Sequence, residues 1–468
     1  MRYFFSLIIL VCLSFSLAYG QGFEIKVKLD NYDEDILYLG YHFGEKQYLR
    51  DSTDVKDKKG YFVFSADTLL DKGMYLILMA PEKKNFQILI DDTQKISLTA
   101  DAEQIDKTIT FKNSKQNEAF FKYMSYLSER RRESEVIKGQ MDEADDDQKK
   151  ADYEAQLREI SKQVRAHQES IVNANPQWLL SAIIKANWDI ETPEFEGTEE
   201  EQMYSRFYYI RDHFFDNLDM SDDRLIRTPV MFPRVDAFVN KYHAVIPDSA
   251  IVAVDKVMAK LDGNASGYRY FLAHFLNHYS KSKYVGMDAV YVHLVENYYA
   301  KGKASWVEEE NLNKIIKEAA KLKPILIGKP APDLTMQTRE GRPVVLSEVD
   351  ADFTVLIFWA PDCGHCKKSM PGVSKFAEKF KEKGVTVFSV CSKLNDVTEC
   401  WEMIDDKNLD HMLHAVDPYY KSRFKEKYNV NSTPKIFILD RDKTIVSKSI
   451  GTEQLDEVMT RFTEDLKG

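Results

Sequence analysis

Two cysteines separated by two residues, Cys363 and Cys366, stand in the stretch WAPDCGHCKKSMP that runs from Trp359 to Pro371. At this spacing a pair can ligate a metal, close a small structural ring, or exchange disulfides with other proteins. Zinc needs four ligands, usually from two such knuckles, and Cys391 and Cys400 are spaced too widely to form the second. A ring this small constrains little of the unfolded chain. Disulfide exchange is therefore the leading reading, and no metal is expected. The apolar run FTVLIFWA reads as a buried strand, and Cys363 follows it where the next helix begins. Unpaired backbone N–H groups and the helix dipole at that point favour a thiolate over a thiol. Cys363 is the expected nucleophile. Cys366, one turn further in, is the expected resolving thiol, attacking the mixed disulfide that Cys363 forms with a partner.

The elements that must position this pair lie between 323 and 468. There LTMQ, VVL, FTVLIFWA, VTVFSV, MLHAV, KIFILD and TIVSKSI read as strands, and helical patterns such as KKSMPGVSKFAEKFKEK and EQLDEVMTRFTEDL alternate with them. Strand–helix alternation implies an α/β layer fold. LKPILIGKPAPDL, with three prolines close together, reads as the linker into it. From 21 to 113 the period is two, as in FEIKVKL, and short runs punctuated by turn residues predict an antiparallel β-sandwich. From 114 to 322 the period is helical, and Tyr and Phe are abundant, predicting one all-α domain. The chain is thus expected to be multidomain, as its 468 residues demand.

Other features narrow the function classes. The net charge is −11 with both signs interspersed, which excludes the basic stripe of a nucleic-acid binder. His274 and His278 lie one helical turn apart, but no third ligand is evident, and they read as two histidines on a partly polar face. The start, MRYFFSLIILVCLSFSLAYGQ, has one arginine, an apolar run and small residues at Ala18 and Gly20. Residues 1–20 are expected to be a cleaved signal peptide, placing the protein in the periplasm or cell envelope. Four of the five cysteines then remain, all in the last quarter of the chain. Cys391 and Cys400 are expected to be buried thiols acting as small apolar residues. A bridge between them, or a relay that re-reduces Cys366, are the alternatives.

At these positions the chain resembles the thioredoxin superfamily. WAxxCxxCK matches Trp359 through Lys367, Pro371 falls where the family kinks its active-site helix, and YNVNSTPKIFILD matches the strand preceded by a cis-proline. The resemblance implies a cis Thr433–Pro434 bond, a substrate segment pairing with that loop, and a supporting small residue at Gly451. It also implies that Trp359 belongs to the substrate-binding surface or supports it. Cys363 and Pro434 are 71 positions apart, longer than a minimal thioredoxin allows. With the entry GKPAPDL, this is similar to the exported TlpA/ResA-like branch. The phrases FFDNLDMSDDRLIRTPV and MDAVYVHLVENYYAKGKASW resemble the β-rich and helical N-terminal domains of Bacteroidetes-type envelope proteins.

The departures bear on chemistry. Thioredoxins carry a buried aspartate six residues before the nucleophile, where this chain has Ile357, and a tryptophan just before it, where this chain has Asp362. Gly364 and His365 repeat the dipeptide of protein disulfide isomerase, and the resemblance implies that His365 stabilises the Cys363 thiolate. Asp362 acts against it, so the expected potential falls between about −270 mV and about −180 mV. No dissociable cofactor is implied. Protein dithiol or disulfide substrates, a membrane or envelope thiol donor, and a homodimer formed through the helical domain are the expected partners. Two rival readings remain. A peroxiredoxin-like peroxidase would need Thr or Ser where Ala360 stands. A scaffold or binding protein with a docking module would tolerate loss of Cys363.

Overall fold

Strand β1, Phe23–Asp30, shows how the first region is built: Phe23, Ile25 and Val27 are buried while Glu24, Lys26 and Lys28 point outward. That alternation gives the strand one wet and one dry face. The computed structural model describes residues 22–81 and 84–465, so the expected signal peptide lies outside the described residues. Eight strands, β1, β2 Leu37–Phe43, β3 Lys46–Thr53, β4 Phe62–Ala66, β5 Gly73–Met79, β6 Lys84–Ile90, β7 Lys95–Asp101 and β8 Thr110–Lys112, form two four-stranded sheets. Their orders are β4-β1-β7-β8 and β3-β2-β5-β6. Both contribute to one apolar core that includes Ile25, Phe64, Ile77 and Ile88. Every pairing in these sheets is antiparallel except β1–β7, which runs parallel.

The segment 114–322, expected as one domain, is divided. Contacts separate the chain into two units, one comprising residues 22–238 with Leu261–Gly267, the other Val239–Lys260 with the rest from Tyr268 onward. The physical reason is visible in the polar anchors. In the first unit the Asn117 side chain bridges the Leu89 backbone in both directions, and Arg224 pairs with the buried Asp91 at 2.8 Å. In the second, buried Lys448 pairs with Asp288 and donates to the Ile325 carbonyl at 2.6 Å, while Asn429 bonds Glu318 at 3.0 Å. Early helices are thus tied to the sandwich, and later ones to the C-terminal sheet.

That sheet has seven strands, β9 Thr335–Gln337, β10 Pro343–Val345, β11 Phe353–Trp359, β12 Val385–Cys391, β13 Leu413–Val416, β14 Lys435–Leu439 and β15 Ile445–Lys448, in the order β10-β9-β13-β12-β11-β14-β15. β11, β12 and β13 run parallel, and β14 and β15 antiparallel to their neighbours. Every residue of β11 is buried, because the sheet is covered on both faces. Val355, Ile357 and Trp359 face the helix Gly364–Lys381, while Leu356 and Phe358 pack with Tyr428 and Phe437 on the other side. This is the α/β arrangement that the thioredoxin resemblance implies. The additional length between Cys363 and Pro434 accommodates the helix Thr398–Asp406 and strand β13. The expected linker is packed rather than free: Gly328 and Ala331 donate to the Ile445 and Lys443 carbonyls. Among the described residues no helix is long and apolar enough to cross a membrane.

Candidate active site

Strand β11 delivers the chain to the N-terminus of the helix Gly364–Lys381, and Cys363 is that helix's N-cap. Its sulfur accepts the Cys366 N–H at 3.2 Å, doing what a serine or aspartate does at other helix starts. Its S–H donates to the Thr433 carbonyl at 3.2 Å. The Thr433–Pro434 peptide is cis, as expected from the sequence, and it brings the residues before β14 against the nucleophile. Cys363 is half-buried and Cys366 fully buried, and both are thiols.

Opposite environments act on the two. Burial pushes the Cys363 thiol up, but hydrogen bonds from Cys366, Thr433 and the Cys366 and His365 backbones outweigh it, and its pKa is lowered from the ordinary 9.0. For Cys366 burial dominates, reinforced by Cys363, and its pKa is pushed up to about 11. The less buried sulfur is therefore the more readily ionised one, as a nucleophile requires, and the buried one favours its protonated form.

The surrounding residues fall into place as follows. The His365 ring is exposed, and its backbone N–H lies toward Cys363. Trp359, expected at the substrate surface, is 0 % exposed. From there it offers a substrate no exposed surface. Its indole N–H donates to Ser389 Oγ at 2.8 Å; that hydroxyl faces His414 Nδ1 at 3.2 Å, and His414 Nε2 bonds the Leu409 carbonyl at 2.6 Å. With Nε2 donating to a carbonyl, Nδ1 is left to accept from Ser389, and the three side chains form a one-directional chain. Pro371 lies inside the active-site helix. Gly451 starts the turn Thr452–Gln454, which packs against that helix. Ile357 is fully buried in the same core as Cys366, and no carboxylate is among the groups acting on the Cys366 thiol.

Cys391 and Cys400 are joined in a disulfide, with Cα atoms 6.2 Å apart. This corrects the expectation of two buried thiols. The last residue of β12 and the first turn of the next helix are brought within bridging distance, inside the 4.4–6.8 Å range that the bond needs. The bridge closes the segment Ser392–Glu399 beside the site: Ser392 N–H donates to the Trp359 carbonyl at 2.7 Å. Lys393, paired with Glu399 at 2.5 Å, also feels the Asp362 carboxylate. Sequence reasoning missed Lys393, Ser389 and His414, because only strand register and loop closure bring them there. Elsewhere, His274 and His278 stack at 6.2 Å. Among the described residues, no group of three or more His, Cys, Asp or Glu is placed to hold a metal ion.

A half-buried, readily ionised cysteine at a helix N-terminus, a buried partner one turn on, and a cis-proline loop against the sulfur define a thioredoxin-like thiol–disulfide oxidoreductase. The family model for Redoxin matches residues 326–461. The thiol-disulfide oxidoreductase ResA of Bacillus cereus is 30% identical over 141 residues, covering 29% of this chain and 79% of that protein. The chain belongs, through this C-terminal module, to the ResA-like thiol–disulfide oxidoreductases of the thioredoxin superfamily. A solved domain of a "possible thiol-disulfide isomerase" from Cytophaga hutchinsonii is 33% identical, covering 30% of this chain and 96% of that one, with a TM-score of 0.29. A thioredoxin-like protein from Bacteroides caccae is 18% identical, covering 58% of this chain and 97% of that one, with a TM-score of 0.45. Two further family models, each described as a domain of unknown function, match residues 23–120 (DUF4369) and 190–322 (DUF5106).

Proposed function

We propose that the protein is exported and exchanges disulfides with protein substrates in the periplasm or cell envelope through Cys363 and Cys366. The observation that carries this reading is the placement of the Cys363 sulfur, at a helix N-cap and 3.2 Å from the Thr433 carbonyl. The Cys363 thiolate attacks one sulfur of a substrate disulfide. That S–S bond breaks, a mixed disulfide forms, and the departing substrate thiolate takes up a proton. Cys366 then loses its proton and attacks the Cys363 sulfur, releasing the second substrate thiol. Two electrons and two protons have passed to the substrate, and a Cys363–Cys366 disulfide remains for an envelope thiol donor to reduce. Thr433 and Pro434 receive the substrate segment, His365 tunes the thiolate, and Pro371 and Gly451 support the helix and its neighbouring turn. Export is supported by the N-terminal sequence and by the Cys391–Cys400 disulfide, a bond that persists in oxidising compartments.

The test is turnover of a protein disulfide substrate with a dithiol donor. Cys363→Ser should abolish it, and Cys366→Ser should accumulate substrate-linked mixed disulfide. Full activity in Cys363→Ser would sink the proposal, and absence of turnover by the parent protein would favour the scaffold reading.

A further inference from the structure

The helix Glu199–Asp212 starts at a capping box, with Thr198 Oγ accepting the Glu201 N–H and the Glu201 carboxylate accepting the Thr198 N–H. Its boundary is therefore well defined, yet none of its residues is buried. One side is anchored: Tyr209 packs edge-on against Phe195 and stacks on His213. The other carries Met203, Tyr204, Phe207 and Tyr208, which are 60, 51, 39 and 49 % exposed. Four large apolar side chains contiguous on one solvated helix face mark an interaction surface rather than the scatter expected of a free one.

Spacing and charge say what covers it. Glu200, Tyr204, Phe207 and Arg211 follow one another at four, three and four residues, the seam spacing of a coiled coil. The N-terminal turn is acidic, with Glu199, Glu200 and Glu201, and the C-terminal half carries Arg206 and Arg211. We propose that this helix pairs two copies of the chain, antiparallel about a two-fold axis passing between Ser205 and Arg206. Residues equidistant from that axis then face each other: Tyr204 meets Phe207 of the partner subunit, and Glu200 meets Arg211 of the partner subunit. Arg211 already lies 4.7 Å over the Tyr208 ring and pairs with Asp212 at 3.1 Å, which places its guanidinium at the edge of the aromatic seam. A self-complementary surface is what a two-fold dimer needs. A parallel pairing would set Glu200 against Glu200.

The seam is short. Its 14 residues span about 21 Å, too little for the roughly 800 Å² per partner of a standard interface, so the dimer is weak and concentration-dependent. The surface lies in the other unit from the cysteine pair and stands independently of the thiol chemistry.

Sedimentation velocity of the purified chain across a wide concentration range tests it. The mass should rise from monomer toward dimer, and Tyr204→Glu should weaken association about tenfold or more, with circular dichroism unchanged. Glu200→Arg or Arg211→Glu alone should weaken it severalfold, and the two together should recover most of the loss. A monomer at every concentration overturns the proposal, as does a dimer indifferent to Tyr204→Glu. Single reversals without effect overturn the antiparallel register.

Discussion

The asymmetry between the two thiols can be measured directly by alkylating the reduced protein with iodoacetamide and following each cysteine by peptide mass spectrometry. At pH 7 a thiol pushed up to about 11 is about 10⁻⁴ ionised, and one at or below 9.0 is at least about 10⁻² ionised. Ionisation alone therefore favours Cys363 by about a hundredfold or more. The more basic thiolate is intrinsically more nucleophilic, with a slope of about 0.45 per unit, which returns roughly eightfold over two units. The net preference is at least about tenfold, and the complete burial of Cys366 widens it. Raising the pH should take the Cys363 rate through its midpoint below pH 9, as its lowered pKa is passed. In Cys363→Ser the remaining thiol loses the contribution of Cys363 but keeps the larger one, burial, so its rate should still be climbing beyond pH 9. The linkage has matching signs. Cys366, raised in the folded state, contributes stability fully present below the ordinary thiol value and lost as pH rises toward about 11. Cys363, lowered, contributes stability present above the ordinary value and lost as pH falls through its folded one. Equal labelling of the two cysteines at pH 7, or a Cys366 rate that levels off below pH 9, would refute the assignment of nucleophile and resolver.

Two further substitutions test what holds the site in place. Replacing both Cys391 and Cys400 by serine opens a loop with a sequence separation of 9, worth about 2.6 kcal/mol by the chain-entropy relation. The urea transition of the C-terminal unit should weaken accordingly while Cys363 and Cys366 still exchange disulfides; an unchanged transition would argue against the constraint. Ser389→Ala leaves the buried Trp359 N–H without its 2.8 Å partner and should cost roughly 1–3 kcal/mol, with a change in tryptophan fluorescence. Stability and emission both like the parent's would remove the Trp359–Ser389–His414 chain from the account.

What could be read beforehand divides along a physical line. Strand β11 announced itself as seven consecutive residues suited to burial on both faces, and β1 by its alternation, because in each the pattern is local. The cysteine pair and the Thr433–Pro434 loop were legible for the same reason, as short contiguous motifs. Strand β3, KQYLRDST, escaped because nearly all of it is exposed and no alternation marks it. The helix Glu309–Leu322 lies within the stretch read as helical, with Leu312, Ile315, Ile316 and Ala319 at helical spacing. The partners beneath the site were not legible. Ser389 and His414 become neighbours through the parallel register of β12 and β13, and Cys391 meets Cys400 only when the intervening loop folds back. The division of the helices between two units follows from side-chain anchors such as Arg224–Asp91 and Lys448–Asp288, which join residues more than a hundred positions apart.

The missing aspartate then acquires a physical meaning. In the superfamily a carboxylate near the second cysteine assists its proton transfer, and here Ile357 occupies that position in a dry core. Burial is the main influence on Cys366, with the Cys363 sulfur, the Ala360 backbone and Thr433 after it, and no carboxylate is among them. Water or the departing substrate sulfur can take the proton of Cys366. The first attack draws on a thiolate already favoured by the helix N-terminus, whereas the second begins from a thiol that burial holds protonated. On the proposed cycle the two halves are uneven: capture of a substrate disulfide draws on a favoured thiolate, and release waits on deprotonation of Cys366.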